Sequence, residues 1–141
     1  MVDLTNKETQ NKQKMKKNVT YEQANELRNL GYEFPQSELV YQISENGDII
    51  LNKRIVIAFC CEEVNFIDCP DTTDLFNAFF EFKDTQLVLF FHNVDDYHPT
   101  RFFKENRIEV VVHGKGDCKS FATAELVDNL VDALVWLKWK D

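Results

Sequence analysis

The chain lacks any apolar run long enough to cross a lipid bilayer, and its N-terminus lacks the apolar core of a secretory signal peptide. Internal repeats and low-complexity segments are also missing. A hydrophobic fraction of 44% over 141 residues is too high for a disordered protein and is enough for a real core. We therefore expect a cytoplasmic protein that does not associate with membranes.

Paired cysteine motifs are absent as well. Cys60 and Cys61 are adjacent and cannot easily bridge to each other, while Cys69 and Cys118 stand alone in the sequence. This usage predicts reduced, mostly buried thiols, as is usual in the cytoplasm.

Positive charge is scarce outside the first residues. The net charge is −8, but residues 1–18 carry five lysines against two carboxylates, so the remaining residues carry −11. A body this acidic repels nucleic-acid phosphates, which excludes a general role in binding DNA or RNA. We expect residues 1–18 to form a flexible basic tail and residues 19–141 to form a single α+β domain.

Hydrophobic periodicity predicts the elements of this domain. Thr20 and Gln23 have the spacing of a capping box at the start of a helix over 20–30. The Asn46-Gly47 pair predicts a hairpin between strands at 39–43 and 49–51. The other predicted elements are a strand at 55–59, a helix at 71–82, strands at 86–91 and 108–112 around a loop at 93–104, and a helix from 122 onward.

This order of elements predicts the α+β class, with a single antiparallel β-sheet packed by helices and a long C-terminal amphipathic helix. The terminal helix is apolar on more than one face. Either it is sandwiched inside the subunit or its second face meets another chain. We therefore expect a homodimer or a higher homo-oligomer.

The segment between the last predicted strand and the terminal helix combines glycines with cations. The free N–H groups and positive dipole of a helix N-terminus can receive an anion there. Arginine side chains in the preceding loop could add bidentate phosphate contacts. The candidate ligand-binding residues are Arg101, Lys104, Arg107, His113, Gly114, Lys115, Gly116, Lys119 and Ser120.

Alternatives to this anion site stay open. The segment is not a Walker A loop, and it could equally be a flexible connection with two solvated lysines. A metal site formed by His92, Asp95, Asp96 and His98 is disfavoured because tight ligand pairs are missing. A nucleophilic pair of Cys118 and His113 is disfavoured because no third residue is evident to orient it. We therefore expect no metal, no cofactor and no enzymatic activity.

Two stretches of the sequence resemble phage proteins. Tyr21–Tyr32 resembles the short opening helix of small accessory proteins of tailed phages and prophages, which ends at Leu-Gly-Phe or Leu-Gly-Tyr. Pro70–Leu75 with Ala78, together with Ala124–Asp128 and Ala133-Leu134, resembles the phage ABA-sandwich family. This resemblance implies a phage origin and an antiparallel sheet with helices on each side. It also implies a non-enzymatic role against host defence, since such folds include sponges for cyclic-nucleotide signals.

Two functions from different classes follow. In the first, the protein sequesters a nucleotide-derived anion without turnover, in the cytoplasm of the host cell. In the second, it is an acidic inhibitor or adaptor that binds a basic, nucleic-acid-binding host protein, because opposite charges steer such an association.

Overall fold

The computed structural model describes residues 16–59, 64–92, 106–114, 116–123 and 125–140. Four α-helices and one 3₁₀ turn lie in these ranges, and we number the helices α1 (Tyr21–Asn29), α2 (Arg54–Ala58), α3 (Thr72–Ala78) and α4 (Leu126–Lys140), the 3₁₀ turn being Phe79–Glu81. The strands are β1 (Leu39–Ile43), β2 (Ile49–Lys53), β3 (Asn65–Cys69), β4 (Gln86–His92), β5 (Arg107–Gly114) and β6 (Asp117–Phe121).

Side chains cap the helices at the positions that the sequence indicates. The Thr20 hydroxyl oxygen accepts a hydrogen bond from the Gln23 N–H, and the Thr20 N–H donates to the Gln23 side-chain oxygen. The predicted capping box is therefore confirmed. Asp71 and Asp74 form the same reciprocal pair at the start of α3. The predicted helix at 71–82 is shorter, because α3 ends at Ala78 and the chain tightens into the 3₁₀ turn.

The strands form two antiparallel sheets of three strands, in the orders β2-β1-β3 and β4-β5-β6. The α+β class is confirmed, but the expectation of a single sheet is wrong. The two long apolar strands β4 and β5 pair with each other, and β5 takes β6 as its second neighbour. Both edges of β5 are therefore occupied within its own sheet.

The predicted strand at 55–59 is a helix. Ile55, Val56 and Ile57 lie in α2, which begins at Arg54 directly after β2. A short apolar run has no period that separates strand from helix, so tertiary contacts decide. Here the Arg54 side chain bonds to the segment before β1 and turns the chain away from the sheet.

Helix α4 lies at the centre of the core. It packs against β5 and β6 on one side and against α1 and α3 on the other. Leu130, Leu134 and Leu137 are buried. The apolar residues on several of its faces are therefore sandwiched inside the subunit, which was one of the two readings of the sequence. No helix among the described ranges is long and apolar enough to cross a membrane.

A polar contact attaches the start of the described chain to α4. Lys16 Nζ lies 2.9 Å from Asp128 Oδ1, and Gln23 Nε2 donates to the same oxygen at 2.8 Å. Burial alone would raise the pKa of Asp128, but these hydrogen bonds and the charge of Lys16 outweigh it and lower the pKa. One turn later the balance is opposite. Burial is the largest cause that raises the pKa of Asp132, and the negative charges of Asp128 and Glu26 raise it further. The positive charge of Lys119 lowers this pKa by a smaller amount.

We expect Asp128→Asn and Asp132→Asn to change stability in opposite directions. The lowered pKa of Asp128 means that its carboxylate stabilises the fold above the unfolded-state pKa, and this stability is lost as pH falls through the folded value. The raised pKa of Asp132 means that its ionised form is unfavourable at neutral pH. Asp128→Asn should cost about 1 kcal/mol at neutral pH, and Asp132→Asn should gain a few tenths, roughly 0.3 kcal/mol.

Urea unfolding of both variants at neutral pH and at about pH 3, below the usual carboxyl range, measures these effects. Both differences should shrink at the acidic pH, because the Asp132 carboxyl is protonated there and the stability contributed by the Asp128 carboxylate declines between its unfolded-state and folded-state pKa. Each variant is the control for the other, because both lose one charge from the same helix. A loss of stability of equal size in both variants would contradict the assignment.

Candidate functional site

The predicted glycine junction is a β-hairpin. Gly114 pairs with Asp117, so β5 and β6 are the two strands of a hairpin, and α4 begins only at Leu126. The expectation that this segment leads directly into the N-terminus of the terminal helix is therefore wrong. The sequence of β6 hides the strand because its first four residues, Asp117–Ser120, are exposed and show no apolar alternation.

Both described glycines of this loop have a structural reason to be glycine. Gly116 has φ +77°, which L side chains rarely adopt. A Cβ at Gly114 would lie 3.2 Å from Thr85 Oγ1 and 3.5 Å from Leu137 Cδ2, so glycine permits close packing there. Neither position requires an anion to explain it.

The described cations of the candidate set do not converge. Arg107 begins β5 and Gly114 ends it, which separates them by about 23 Å along an extended strand. Arg107 Nη1 donates to the Ala122 carbonyl at 2.7 Å. Lys119 points to the opposite sheet face from Ser120, with Nζ 5.5 Å from the centre of the Phe121 ring. Arg101, Lys104 and Lys115 lie outside the described residues.

Ser120 contacts a buried carboxylate instead of an open anion site. Its hydroxyl donates to Glu109 Oε2, and His92 Nε2 lies 2.9 Å from Glu109 Oε1. Glu109 is 2% exposed. A negative ligand beside Ser120 would meet this carboxylate, so the three side chains form a structural polar cluster on the sheet. Within the described ranges no three His, Cys, Asp or Glu residues form a metal site, and Asp95, Asp96 and His98 lie outside those ranges.

Cys118 and His113, in contrast, are brought together. They are cross-strand partners in the β5–β6 register, and Cys118 Sγ lies 3.7 Å from His113 Nε2. Both side chains are exposed. They line an open concavity of about 500 Å³ with Asp84, Thr85, Gln86, Gly114, Gly116 and Asp117.

Six exposed apolar side chains lie on β2, on α2 and just after α2. We call this surface the apolar edge and define it by Ile49, Ile50, Leu51, Ile55, Val56 and Phe59, each at least 43% exposed. Phe59 reaches 81% and Ile55 reaches 63%. A monomer rarely leaves so many large apolar side chains exposed along one strand and the helix that follows it, so their exposure marks an interaction site.

The backbone of β2 is also open on one side. Arg54 N donates to Glu38 O and Ser44 N donates to Asp48 O, which fixes the hydrogen-bonding phase of the β1–β2 ladder. In an antiparallel pair, every second residue bonds to the neighbouring strand, so the even-numbered residues of β2 bond to β1. Ile49, Leu51 and Lys53 therefore direct their backbone N–H and C=O groups outward, away from β1. β2 is an edge strand of its sheet among the described residues.

A groove adjoins the apolar edge at Ile55. It measures about 520 Å³ and is lined by Ser37, Glu38, Leu39, Lys53, Arg54, Ile55 and Ala58. Among the described residues near β2 in the sequence, the exposed charges are the carboxylates of Glu38, Glu45 and Asp48 and the ammonium of Lys53. Arg54 is paired with Asp68 at 2.5 Å and so adds no net charge.

Comparison of the chain with protein-family models, with curated protein sequences and with solved structures gave no match. The functional argument therefore depends on the described surfaces alone. Sequence reasoning missed the apolar edge because it assigned Ile55–Phe59 to a strand of the sheet. The sequence did contain a signal for this surface. Ile49, Ile50 and Leu51 are consecutive apolar residues, so their side chains lie on both faces of a strand. Burying all three requires a packing partner on each face.

Proposed function

We propose that the protein is a non-enzymatic binding protein that docks a basic protein partner on its apolar edge. The observation that carries this proposal is the exposure of six large apolar side chains beside an open strand edge. It corresponds to the acidic inhibitor or adaptor that the sequence suggested as one of two functions.

Strand addition is the binding mode that fits β2. Natural proteins protect an edge strand with lysine, proline or a bulge, because an open edge can pair with another chain. β2 has Lys53 only at its end, and its first three side chains are apolar. A partner strand could bond to the outward groups of Ile49 and Leu51 while its side chains contact α2.

Charge favours a basic partner over a second copy of this chain. In the described part of the chain, three carboxylates lie near β2 against one lysine, and the whole chain carries −8. Two copies would therefore repel each other, whereas a basic partner gains attraction during encounter and docking. Apolar contacts would supply the affinity, and charge would select the partner.

A labelled peptide of alternating valine and lysine is the probe for this surface, and fluorescence anisotropy measures its binding. We expect Phe59→Ser to weaken binding about tenfold, because it removes the most exposed aromatic side chain of the apolar edge. Phe80→Ser is the matched control, since Phe80 is 86% exposed but lies in the 3₁₀ turn outside the apolar edge. That variant should bind as the wild type does.

A second variant tests the backbone. Leu51→Pro removes an outward N–H without removing a bond to β1, so it should weaken peptide binding about fivefold. Circular dichroism should show that the variant stays folded.

Charge selection is tested with the peptide itself. A peptide with glutamate in place of lysine should not bind, and added salt should weaken binding of the lysine peptide. Equal affinity of Phe59→Ser and Phe80→Ser, or binding of the glutamate peptide, would overturn the proposal.

Analytical ultracentrifugation of the free protein tests whether a second copy of the chain, rather than another protein, binds to the apolar edge. A monomer at micromolar concentration supports a heterologous partner. A dimer that Phe59→Ser dissociates would instead give the apolar edge to a second copy, in agreement with the homo-oligomer expected from the sequence.

Sequestration of a nucleotide-derived anion in the host cytoplasm, with a phage origin, is a second proposal, and it rests on the resemblance together with the concavity beside Gly114 and Gly116. Asp84 and Asp117 also line that concavity, which disfavours a phosphate. Thermal melting with cyclic and linear nucleotides tests it. A ligand at 100 times its dissociation constant stabilises by about 2.7 kcal/mol. A shift with one nucleotide would support this role, and melting unchanged across the panel would exclude it.

A further inference from the structure

We propose that a cavity bounded by α1, by residues 31–35 and by β3 binds the zwitterion of an α-amino acid that has a large apolar side chain. The cavity has a volume of about 510 Å³, which is in the range of small-molecule sites. None of the six residues that define the apolar edge lines it. The ligand requires no protein partner, so this inference goes beyond the proposed function and holds or fails separately from it.

Apolar side chains form much of the cavity wall. Ala24 and Ile67 are buried, and Tyr32 and Phe34 are buried aromatic residues whose rings stack with centres 6.3 Å apart. Phe66 is 37% exposed and supplies an accessible ring. An apolar ligand side chain would be removed from water against these groups, which favours a large side chain over a small one.

Arg28 and Glu33 bring opposite charges to the lining of the same cavity. Both side chains are exposed, and neither forms an ion pair or a side-chain hydrogen bond with another described residue. The cavity therefore offers a guanidinium for a carboxylate and a carboxylate for an ammonium group. These are the two charged groups of a free amino acid.

The other two charges of the described lining already neutralise each other. Asp68 Oδ1 accepts from Arg54 Nη2, and Asp68 Oδ2 accepts from the Phe34 N–H at 3.1 Å. The described lining thus has two arginines against two carboxylates and no net charge. A ligand without net charge suits this balance better than a simple anion or cation does.

The edge of β3 adds backbone donors and acceptors. Even-numbered residues of β1 bond to β2, so its odd-numbered residues bond to β3, and Phe66 and Asp68 direct their N–H and C=O groups away from β1. Phe66, Ile67 and Asp68 all line the cavity although successive side chains point to opposite faces, so the cavity lies along this edge. An N–H can donate to the ligand carboxylate, and a C=O can accept from its ammonium group.

Three compounds with the same phenyl group separate the two charges. L-phenylalanine carries both, 3-phenylpropanoate lacks the ammonium group, and 2-phenylethylamine lacks the carboxylate. A ligand-observed NMR titration of the full chain at neutral pH measures each affinity. L-phenylalanine should bind about tenfold more tightly than either analogue, because each analogue loses charge-assisted hydrogen bonds. L-alanine should bind at least about tenfold more weakly than L-phenylalanine, because it lacks the ring.

Two variants assign the charged groups. Arg28→Gln should weaken L-phenylalanine and 3-phenylpropanoate about tenfold and leave 2-phenylethylamine unchanged. Glu33→Gln should weaken L-phenylalanine and 2-phenylethylamine and should not weaken 3-phenylpropanoate. Lys83→Gln and Glu45→Gln are the matched controls, since both side chains are exposed and lie outside the cavity lining. Both controls should bind as the wild type does, and melting temperatures verify that every variant is folded.

Several results would overturn the proposal. One is equal affinity for the three phenyl compounds, and another is a loss of binding in Lys83→Gln as large as that in Arg28→Gln. Absence of binding by L-phenylalanine, L-leucine and L-tryptophan alike would have the same consequence. None of these results bears on the proposed function, which is measured with the valine–lysine peptide on the apolar edge.

Discussion

Replacing Asn129 with alanine is expected to lower the free energy of unfolding by about 3 kcal/mol. The Asn129 side chain is fully buried, and its amide uses all of its bonding capacity. Nδ2 donates to the carbonyls of Ile108 and Thr123, while Oδ1 accepts from the Thr123 N–H and hydroxyl. Alanine would leave the partly buried backbone groups of Ile108 and Thr123 without these partners, which costs more than the bonds themselves contribute.

Asn129→Asp is the matched variant, because it keeps the shape and the two accepted bonds. Its second carboxylate oxygen would face the carbonyls of Ile108 and Thr123, so burial and repulsion should raise the pKa of the new carboxyl. The variant should therefore be as unstable as the alanine variant at neutral pH and should recover part of the loss as pH falls and the acid can donate a hydrogen bond. Urea unfolding at neutral and acidic pH measures both effects.

The position of Asn129 explains why this loss should be large. The amide joins α4 to β5 and to the segment after β6, so it fixes where the chain leaves the second sheet and begins the core helix. An Asn129→Ala variant within about 0.5 kcal/mol of the wild type would mean that water replaces the amide. The assigned bridging role would then be incorrect.

Local chemistry made several elements predictable from the sequence. The capping residues Thr20 and Gln23 set the start of α1, and Gly47, with φ +88°, closes the first hairpin between β1 and β2. These signals depend on a few neighbouring residues, and tertiary packing did not override them. The α+β class followed because helices and hairpins were each recognised locally.

The remaining features depend on contacts between distant residues. The apolar run at Ile55–Ala58 is helical because Arg54 is held by Ser37 and Asp68, which no local pattern reveals. The second sheet was missed because β6 is polar and exposed. If the Lys115-Gly116 pair had been recognised as a hairpin signal, His113 would have been predicted to pair with Cys118. The predicted anion site would then not have included a helix N-terminus.

The Arg54–Asp68 pair should give the second large effect, with Arg54→Ala expected to cost about 2 kcal/mol. Arg54 donates from Nε to the Ser37 carbonyl at 2.8 Å and from Nη2 to the Phe34 carbonyl at 3.1 Å, in addition to its bond to Asp68. Asp68 Oδ2 accepts from the Phe34 N–H at 3.1 Å. The two side chains thus tie the segment before β1 to the start of α2 and to β3.

A double-mutant cycle with Asp68→Ala measures the coupling, which we expect to be about 1 kcal/mol because both side chains remain partly exposed to solvent. Arg54→Lys keeps the charge but loses the planar guanidinium group, so it should restore less than half of the stability that Arg54→Ala loses.

Since α2 carries Ile55 and Val56, Arg54→Ala should also weaken binding of the valine–lysine peptide, although Arg54 itself is not part of the apolar edge. Unchanged peptide affinity in a destabilised Arg54→Ala variant would show that the pair supports the fold without positioning the binding surface.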